Sequence, residues 1–157
     1  MVNNEYEREE LIGGGSFGYV YKCKHVQTGQ YYAIKYFKNK FATMKKAFDQ
    51  REIQILQRFN KIDKKGPGNH CPFVMKAERI EYENRKLFIV FEQMDMSLTQ
   101  FIKRKVKSGQ KLDEQNEIKI LMKQILTGMQ YLNEECGILH RDLKPDNIMV
   151  NVNPLIA

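Results

Sequence analysis

The run His140-Arg141-Asp142-Leu143-Lys144-Pro145-Asp146-Asn147 brings three complementary groups together within eight residues. Asp142 is a candidate base. Lys144, two residues on, is a cation. Asn147 carries an amide oxygen of the kind that ligates a hard divalent cation. A base, a charge neutraliser and a metal ligand are what phosphoryl transfer needs, because that reaction is catalysed by positioning and charge compensation. Only ten residues follow Asn147, and none from Asn151 to Ala157 is acidic. A second metal-ligating carboxylate is therefore expected to be missing.

A second constellation lies near the start. Ile12-Gly13-Gly14-Gly15-Ser16-Phe17-Gly18-Tyr19-Val20 fits G-x-G-x-x-G-x-V. Glycines let a backbone approach phosphates closely. The pattern alone is shared with ordinary hairpin turns and with dinucleotide loops. Tyr19 to Tyr21 continues as a strand, so the loop joins two strands and does not open a helix. No Lys-Ser/Thr follows, which excludes a P-loop. Ala33-Ile34-Lys35 comes fifteen residues after Gly18, where a strand lysine can reach phosphates under the loop as a point charge.

The elements that position these groups follow from hydrophobic period. Tyr6 to Ile12, Tyr19 to His25 and Tyr31 to Phe37 read as an antiparallel meander with a turn at Val26 to Gln30. A helix is predicted from Thr43 to Phe59, with Phe48, Ile55, Leu56 and Phe59 on one stripe. Glu52 sits inside that stripe. A buried carboxylate needs a partner, and Lys35 is the candidate; the alternative places Glu52 at the stripe's edge, in water. Asp63 to Asn69 reads as a loop. Phe73 to Tyr82 and Lys86 to Glu92 form a hairpin around Asn84-Arg85, and the unbroken apolar run Leu87 to Phe91 marks a central strand. Ser97 to Val106 is a short helix. Asp113 to Asn133 is a long one, with Ile118, Leu121, Met122, Ile125, Met129 and Leu132 on one face and acidic residues at its start. Gly137 follows as a terminator.

Composition sets the frame. The 157 residues are 42% hydrophobic and carry a net charge of +7, which supports a packed core and an acidic partner, nucleotide phosphates included. No apolar run reaches membrane-span length, and no interleaved basic and aromatic patch argues for nucleic acid. Neither a membrane nor a nucleic-acid partner is expected. Cys23, Cys71 and Cys136 are widely spaced and read as free buried thiols in a reducing compartment, so a cytoplasmic or nuclear location is expected.

Taken jointly, these landmarks resemble the first half of a eukaryotic protein kinase domain, from about Tyr6 to Val150: a glycine loop, a strand lysine, a helix glutamate and H-R-D-x-x-x-x-N, in order. The resemblance implies an α+β fold, with a five-stranded antiparallel N-lobe and hinge over residues 1–94. A partial C-lobe, ending after the catalytic loop, would occupy 95–157. It implies that Gly13, Gly14, Gly15, Ser16, Phe17, Gly18 and Tyr19 form the loop over the phosphates of ATP. Ile12, Val20 and Ala33 would sandwich the adenine. Phe91 would back the pocket, and Glu92 to Met94 would form the hinge. Lys35, held by Glu52, would contact the α- and β-phosphates. Asp142 would take or orient the proton of a substrate serine or threonine hydroxyl. Lys144 would neutralise the transferred group, and Asn147 would hold one Mg²⁺. Lys144 resembles the serine/threonine class. Arg51-Glu52-Ile53 and the hinge resemble the branch with cyclin-dependent, MAP and male-germ-cell-associated kinases. His140 and Arg141 are expected to be structural, and Phe101 and Tyr131 core.

The family's D-F-G would come a dozen or more residues after Asn147. The expectation is therefore an N-terminal portion of a kinase with little activity of its own. Its unpartnered apolar helix face would invite association or a covering protein partner. The alternative is a catalytically inactive kinase-like fragment that binds nucleotide or a partner.

Overall fold

The aromatic and β-branched N-terminal runs, bounded by glycine turns, form strands where the sequence predicts them. In the computed structural model, which describes residues 4–63 and 71–156, these are β1 (Tyr6–Gly14), β2 (Gly18–His25) and β3 (Tyr31–Phe37). β4 (Ala77–Glu83) and β5 (Lys86–Glu92) complete a five-stranded antiparallel sheet in the order β1-β2-β3-β5-β4. β5 lies between β3 and β4, and Leu87, Phe88, Ile89 and Val90 are all buried. Leu87 and Ile89 pack with Ala47 and Ile53, and Phe88 and Val90 with Tyr6, Cys23 and Ile34. Each such side chain contributes about 1.5–3 kcal/mol by leaving water. Asn84 and Arg85 make the β4–β5 turn with φ of 51° and 64°, the left-handed pair that a two-residue hairpin requires. β1 is an edge strand, and its exposed Glu7, Arg8, Glu9 and Glu10 guard it against further pairing.

The helix predicted from Thr43 to Phe59 is two helices, α1 (Met44–Phe48) and α2 (Arg51–Asp63). Thr43 caps α1 by accepting the Lys46 N–H at 3.3 Å, and Asp49 ends it. The break resets the helical phase. Ala47, Ile53 and Phe59 are buried, whereas Ile55, assigned to the inner stripe by a single period, is exposed. Phe48 and Leu56 pack against the core as expected. Asp63 closes α2 and does not open a loop; the rest of the predicted 64–69 loop lies outside the described residues. The strand predicted from Phe73 begins only at Ala77, because a turn first links the Val74 N–H to the Cys71 carbonyl at 3.3 Å.

The chain divides into two units, Met1–Ile62 with Met75–Gln93 and Asp63–Val74 with Met94–Ala157. In the second, β6 (Met96–Ser97) leads into α3 (Leu98–Lys107). Ser97 and Gln100 form a reciprocal cap at its start. Gly109, at φ 71°, ends it by letting the Gln110 N–H reach the Lys105 carbonyl. The long helix predicted from Asp113 is a π-helical turn, Glu114–Ile118, followed by α4 (Lys119–Glu134). Asp113 accepts the Gln115 and Asn116 N–H groups, both at 2.8 Å. Leu121 is buried with Leu98, Phe101 and Val150. Of the face expected to be apolar, Ile118 and Met122 are exposed, so that face is split between core and solvent. β7 (Met149–Val152) pairs with both β6 and β8 (Leu155–Ile156), a small sheet that the sequence did not announce. No helix among the described residues is long and apolar enough to cross a membrane.

Candidate active site

The site residues fall in two groups, one in each unit. In the first, β1 runs to Gly14 and β2 restarts at Gly18, with Gly13 opposite Val20 and Gly14 opposite Tyr19. The Gly15 N–H donates to the Gly18 carbonyl at 3.0 Å and closes the tip. A bulge between Leu11 and Gly13 interrupts the register at Ile12, the kind of irregularity that re-aims a side chain beside a site.

The glycines differ in what they answer to. A Cβ on Gly18 would overlap the Tyr36 carbonyl oxygen and lie 3.1 Å from its carbon. Glycine is therefore required there by the neighbouring strand. At Gly13 a Cβ would meet only Val20, at 3.6 Å, and at Gly15 nothing within 4 Å. Neither residue is left-handed. Internal packing and backbone conformation thus leave glycine at 13 and 15 unexplained, and the backbone there is open to close approach.

Lys35 pairs across the sheet with Val20 and Ile89. Its Nζ donates to both carboxylate oxygens of Glu52, at 2.6 and 2.8 Å. The two side chains are 22% and 39% exposed. Both alternatives posed for Glu52 therefore hold in part: it has its partner and it touches water. Ala33, two residues from Lys35 and on the same face, is opposite Phe91, which packs against the cluster around Ile53. Ile12, Ser16, Phe17 and Tyr19 are exposed and Val20 is half-buried. Glu92 ends β5, exposed, and Met94 belongs to the second unit.

In that unit the loop His140–Asn147, expected to be catalytic, is built by bonds within its own eight residues. Lys144 Nζ lies 3.0 and 2.9 Å from the two oxygens of Asp142. Asn147 Nδ2 donates to Asp142 Oδ2 at 2.7 Å and to the Asp142 carbonyl at 2.8 Å. Pro145–Asn147 forms one 3₁₀ turn, closed by the Asn147 N–H on the Lys144 carbonyl at 2.9 Å. Arg141 holds a left-handed φ of 64°, costing about 1–2 kcal/mol in a residue with a Cβ, and the Asp142 N–H donates to His140 Nδ1 at 3.4 Å. His140 and Arg141 thus shape the loop, while Asp142, Lys144 and Asn147 present its chemistry.

Asp142 is exposed, and its pKa is shifted down from the usual carboxylate value, first by the Lys144 hydrogen bond and then by Asn147. It is an ionised acceptor at neutral pH. Because the Asn147 amide nitrogen is engaged, its Oδ1 is the atom left for a cation. Among the described residues no group of three or more His, Cys, Asp or Glu could hold a metal by itself. Mg²⁺ is usually held by one or two protein oxygens together with substrate phosphates and water. Asn147 Oδ1 beside the Asp142 carboxylate fits such a partial set.

Two features escaped the sequence reading. Asp95 and Asn151 tie the start of the second unit to β7: the Asp95 N–H donates to Asn151 Oδ1 at 3.1 Å and the Val152 N–H to Asp95 Oδ2 at 2.8 Å. Lys38, not among the expected site residues, bonds the glycine loop; its place three residues after Lys35 was the one available signal.

Residues 6–156 match the family model of the protein kinase domain, and the chain belongs to that family. It is 32% identical over 139 residues to cyclin-dependent kinase F-3 of Oryza sativa subsp. japonica, covering 88% of this chain and 29% of the relative. Serine/threonine-protein kinase ICK of Rattus norvegicus is 30% identical and serine/threonine-protein kinase MAK of Mus musculus 31%, each over 93% of this chain and 21% of the relative. The chain thus spans less than a third of the length of these curated relatives. They are serine/threonine kinases, the class that Lys144 pointed to, and the family works with ATP and Mg²⁺.

Proposed function

We propose that this chain supplies the nucleotide-binding lobe and catalytic loop of a serine/threonine protein kinase, which transfers the γ-phosphoryl group of ATP to a protein hydroxyl. The observation that carries this reading is Asp142 held from two sides by Lys144 and Asn147. A hydroxyl oxygen attacking phosphorus needs an acceptor for its proton at a fixed place, with positive charge close by for the transferred group. Asp142 is that acceptor and Lys144 that charge. Asn147 Oδ1 would hold Mg²⁺, which when bound neutralises phosphate charge. In the first unit, Lys35, aimed by Glu52, binds the α- and β-phosphates. The backbone at Gly13 and Gly15 approaches the phosphates, and Gly18 keeps the loop seated on β3. Ile12, Val20 and Ala33 contact the adenine, Phe91 backs it, and Glu92 and Met94 bind its edge. Lys35 and Asp142 thus serve opposite ends of the reaction, ATP and acceptor.

Thermal unfolding with and without Mg·ATP tests the nucleotide half. At a concentration a hundredfold above Kd, ligand binding stabilises by about 2.7 kcal/mol. That stabilisation is expected in the wild type and in Asp142→Asn, and is expected to vanish in Lys35→Ala. A wild-type melting point indifferent to Mg·ATP would overturn the reading. Phosphorylation of serine/threonine peptides by a chain extended to the length of the relatives tests the other half, and Asp142→Asn is expected to abolish it.

A further inference from the structure

We propose that Lys38 is a positioning residue that latches the glycine loop from the face opposite Lys35. The latch is a property of the loop itself; its consequence for nucleotide rests on the reading of that loop as a phosphate cover. Lys38 follows the last residue of β3, and among the described residues its two hydrogen bonds and its ring contact are all to the loop. Its backbone N–H donates to the Phe17 carbonyl at 3.1 Å, extending the β2–β3 ladder by one rung. Its Nζ donates to the Gly15 carbonyl at 2.7 Å and lies 4.6 Å from the centre of the Tyr19 ring.

Strand alternation sets the face. Tyr19 is opposite Tyr36, and Lys38 continues the even-numbered side of β3. Lys35 and Ala33 occupy the odd-numbered side, where Lys35 meets Glu52. The two lysines therefore act on opposite faces of one strand. Lys35 is committed to the carboxylate of α2, and Lys38 to the loop. Apart from Lys38, the tip from Gly15 to Phe17 has one backbone bond of its own, Gly15 N–H to the Gly18 carbonyl. Nothing lies within 4 Å of where a Gly15 Cβ would be, so no side chain packs against the tip there. A charge-assisted bond to the Gly15 carbonyl is thus the main restraint on the tip. Removing it leaves the strands paired and lets the tip open.

Phe17, 74% exposed at the tip, provides the readout. Chymotrypsin cuts after Phe17 when the tip opens, and the mass of the released 1–17 fragment distinguishes this cut from general unfolding. Without nucleotide, Lys38→Met is expected to raise this cleavage about tenfold, as loss of one charge-assisted bond implies, with the melting midpoint unchanged. Lys38→Arg, which keeps the donor and the stacking cation, is expected to restore it. Lys40→Met, two residues further along the chain, is expected to cleave like the wild type. For Mg·ATP, Lys38→Met is expected to speed dissociation by a similar factor. Wild-type cleavage in Lys38→Met, or no rescue by Lys38→Arg, would overturn the latch. If cleavage responds as expected while the wild type binds no nucleotide, the latch stands and the ATP reading fails.

Discussion

Gly15 and Gly18 belong to one motif, yet substitution to alanine should separate them. Gly18→Ala places a methyl against the Tyr36 carbonyl, with the carbonyl carbon at 3.1 Å and the Phe37 Cα at 3.5 Å. Both are backbone atoms of the paired strand, so relief requires β3 to move and the Gly18–Phe37 rung to weaken. Overpacking of this kind costs about 1–3 kcal/mol. Alanine returns about 0.4–1 kcal/mol through the unfolded chain. The net loss of about 1–2 kcal/mol lowers the melting midpoint by about 2–8 °C in a chain of this size. Gly15→Ala meets no neighbour, so its midpoint should hold or rise slightly. Its methyl instead enters the open space assigned to the ligand, and Mg·ATP affinity should fall about tenfold, the equivalent of about 1.4 kcal/mol. Differential scanning fluorimetry and titration with a fluorescent ATP analogue read the two effects separately. Equal midpoints for Gly18→Ala and the wild type would refute the packing argument, and wild-type affinity in Gly15→Ala would refute the assignment of that space.

Three further outcomes follow from local geometry. Gly128→Ala puts a Cβ 2.8 Å from the Phe73 carbonyl oxygen and should destabilise by about 1–3 kcal/mol in urea unfolding, although alanine is the better helix former. Arg85→Gly relieves a left-handed φ of 64° and should raise the unfolding free energy measured by urea titration by up to about 1 kcal/mol, provided the Phe41 N–H still reaches the residue-85 carbonyl. Glu117 receives the Lys105 ammonium at 2.6 Å, and its folded pKa lies below the ordinary value of 4.5, chiefly through that bond and then through the Asp113 N–H. A depressed carboxylate stabilises the fold above its unfolded pKa, and that contribution is lost as pH falls through the folded one. The stability gap between wild type and Lys105→Met should therefore be full at pH 7 and close below about pH 4.

What the sequence disclosed divides by the range of the interactions involved. β1 to β5 were readable because a strand's period is local, and β5 because an unbroken apolar run has few other solutions. The catalytic loop was readable because each of its bonds closes within His140–Asn147. The Lys35–Glu52 bond joins residues 17 apart, and periodicity alone could place Glu52 either in the core or at its edge. The α1–α2 break was hidden because apolar spacing continues across Asp49 and Gln50 while the phase changes, which brought Ile53 inward in place of Ile55. β6 and β8 have two residues each, too few to express a period, and their pairing depends on partners far along the chain. Gly18 was legible as a glycine but not in its cause, since the carbonyl that demands it belongs to β3.

The acidity of Asp142 bears on how it would act in the proposed reaction. Lys144 and Asn147 stabilise its charged form, which weakens it as a base. An acceptor intended to remove a hydroxyl proton before attack would be better served by burial, which raises a carboxylate pKa, and Asp142 is exposed. The arrangement instead suits a loose phosphoryl transfer, in which the attacking oxygen becomes acidic only as the bond to phosphorus forms. An ionised carboxylate then orients the hydroxyl throughout and takes its proton late. Lys144 and Asn147 hold that carboxylate fixed and ionised, so the feature that lowers its basicity also gives it geometric precision. On this reasoning Lys144→Met would raise the Asp142 pKa while impairing transfer. A better base and a slower enzyme would then arise from one substitution, the pairing expected when positioning outweighs proton affinity.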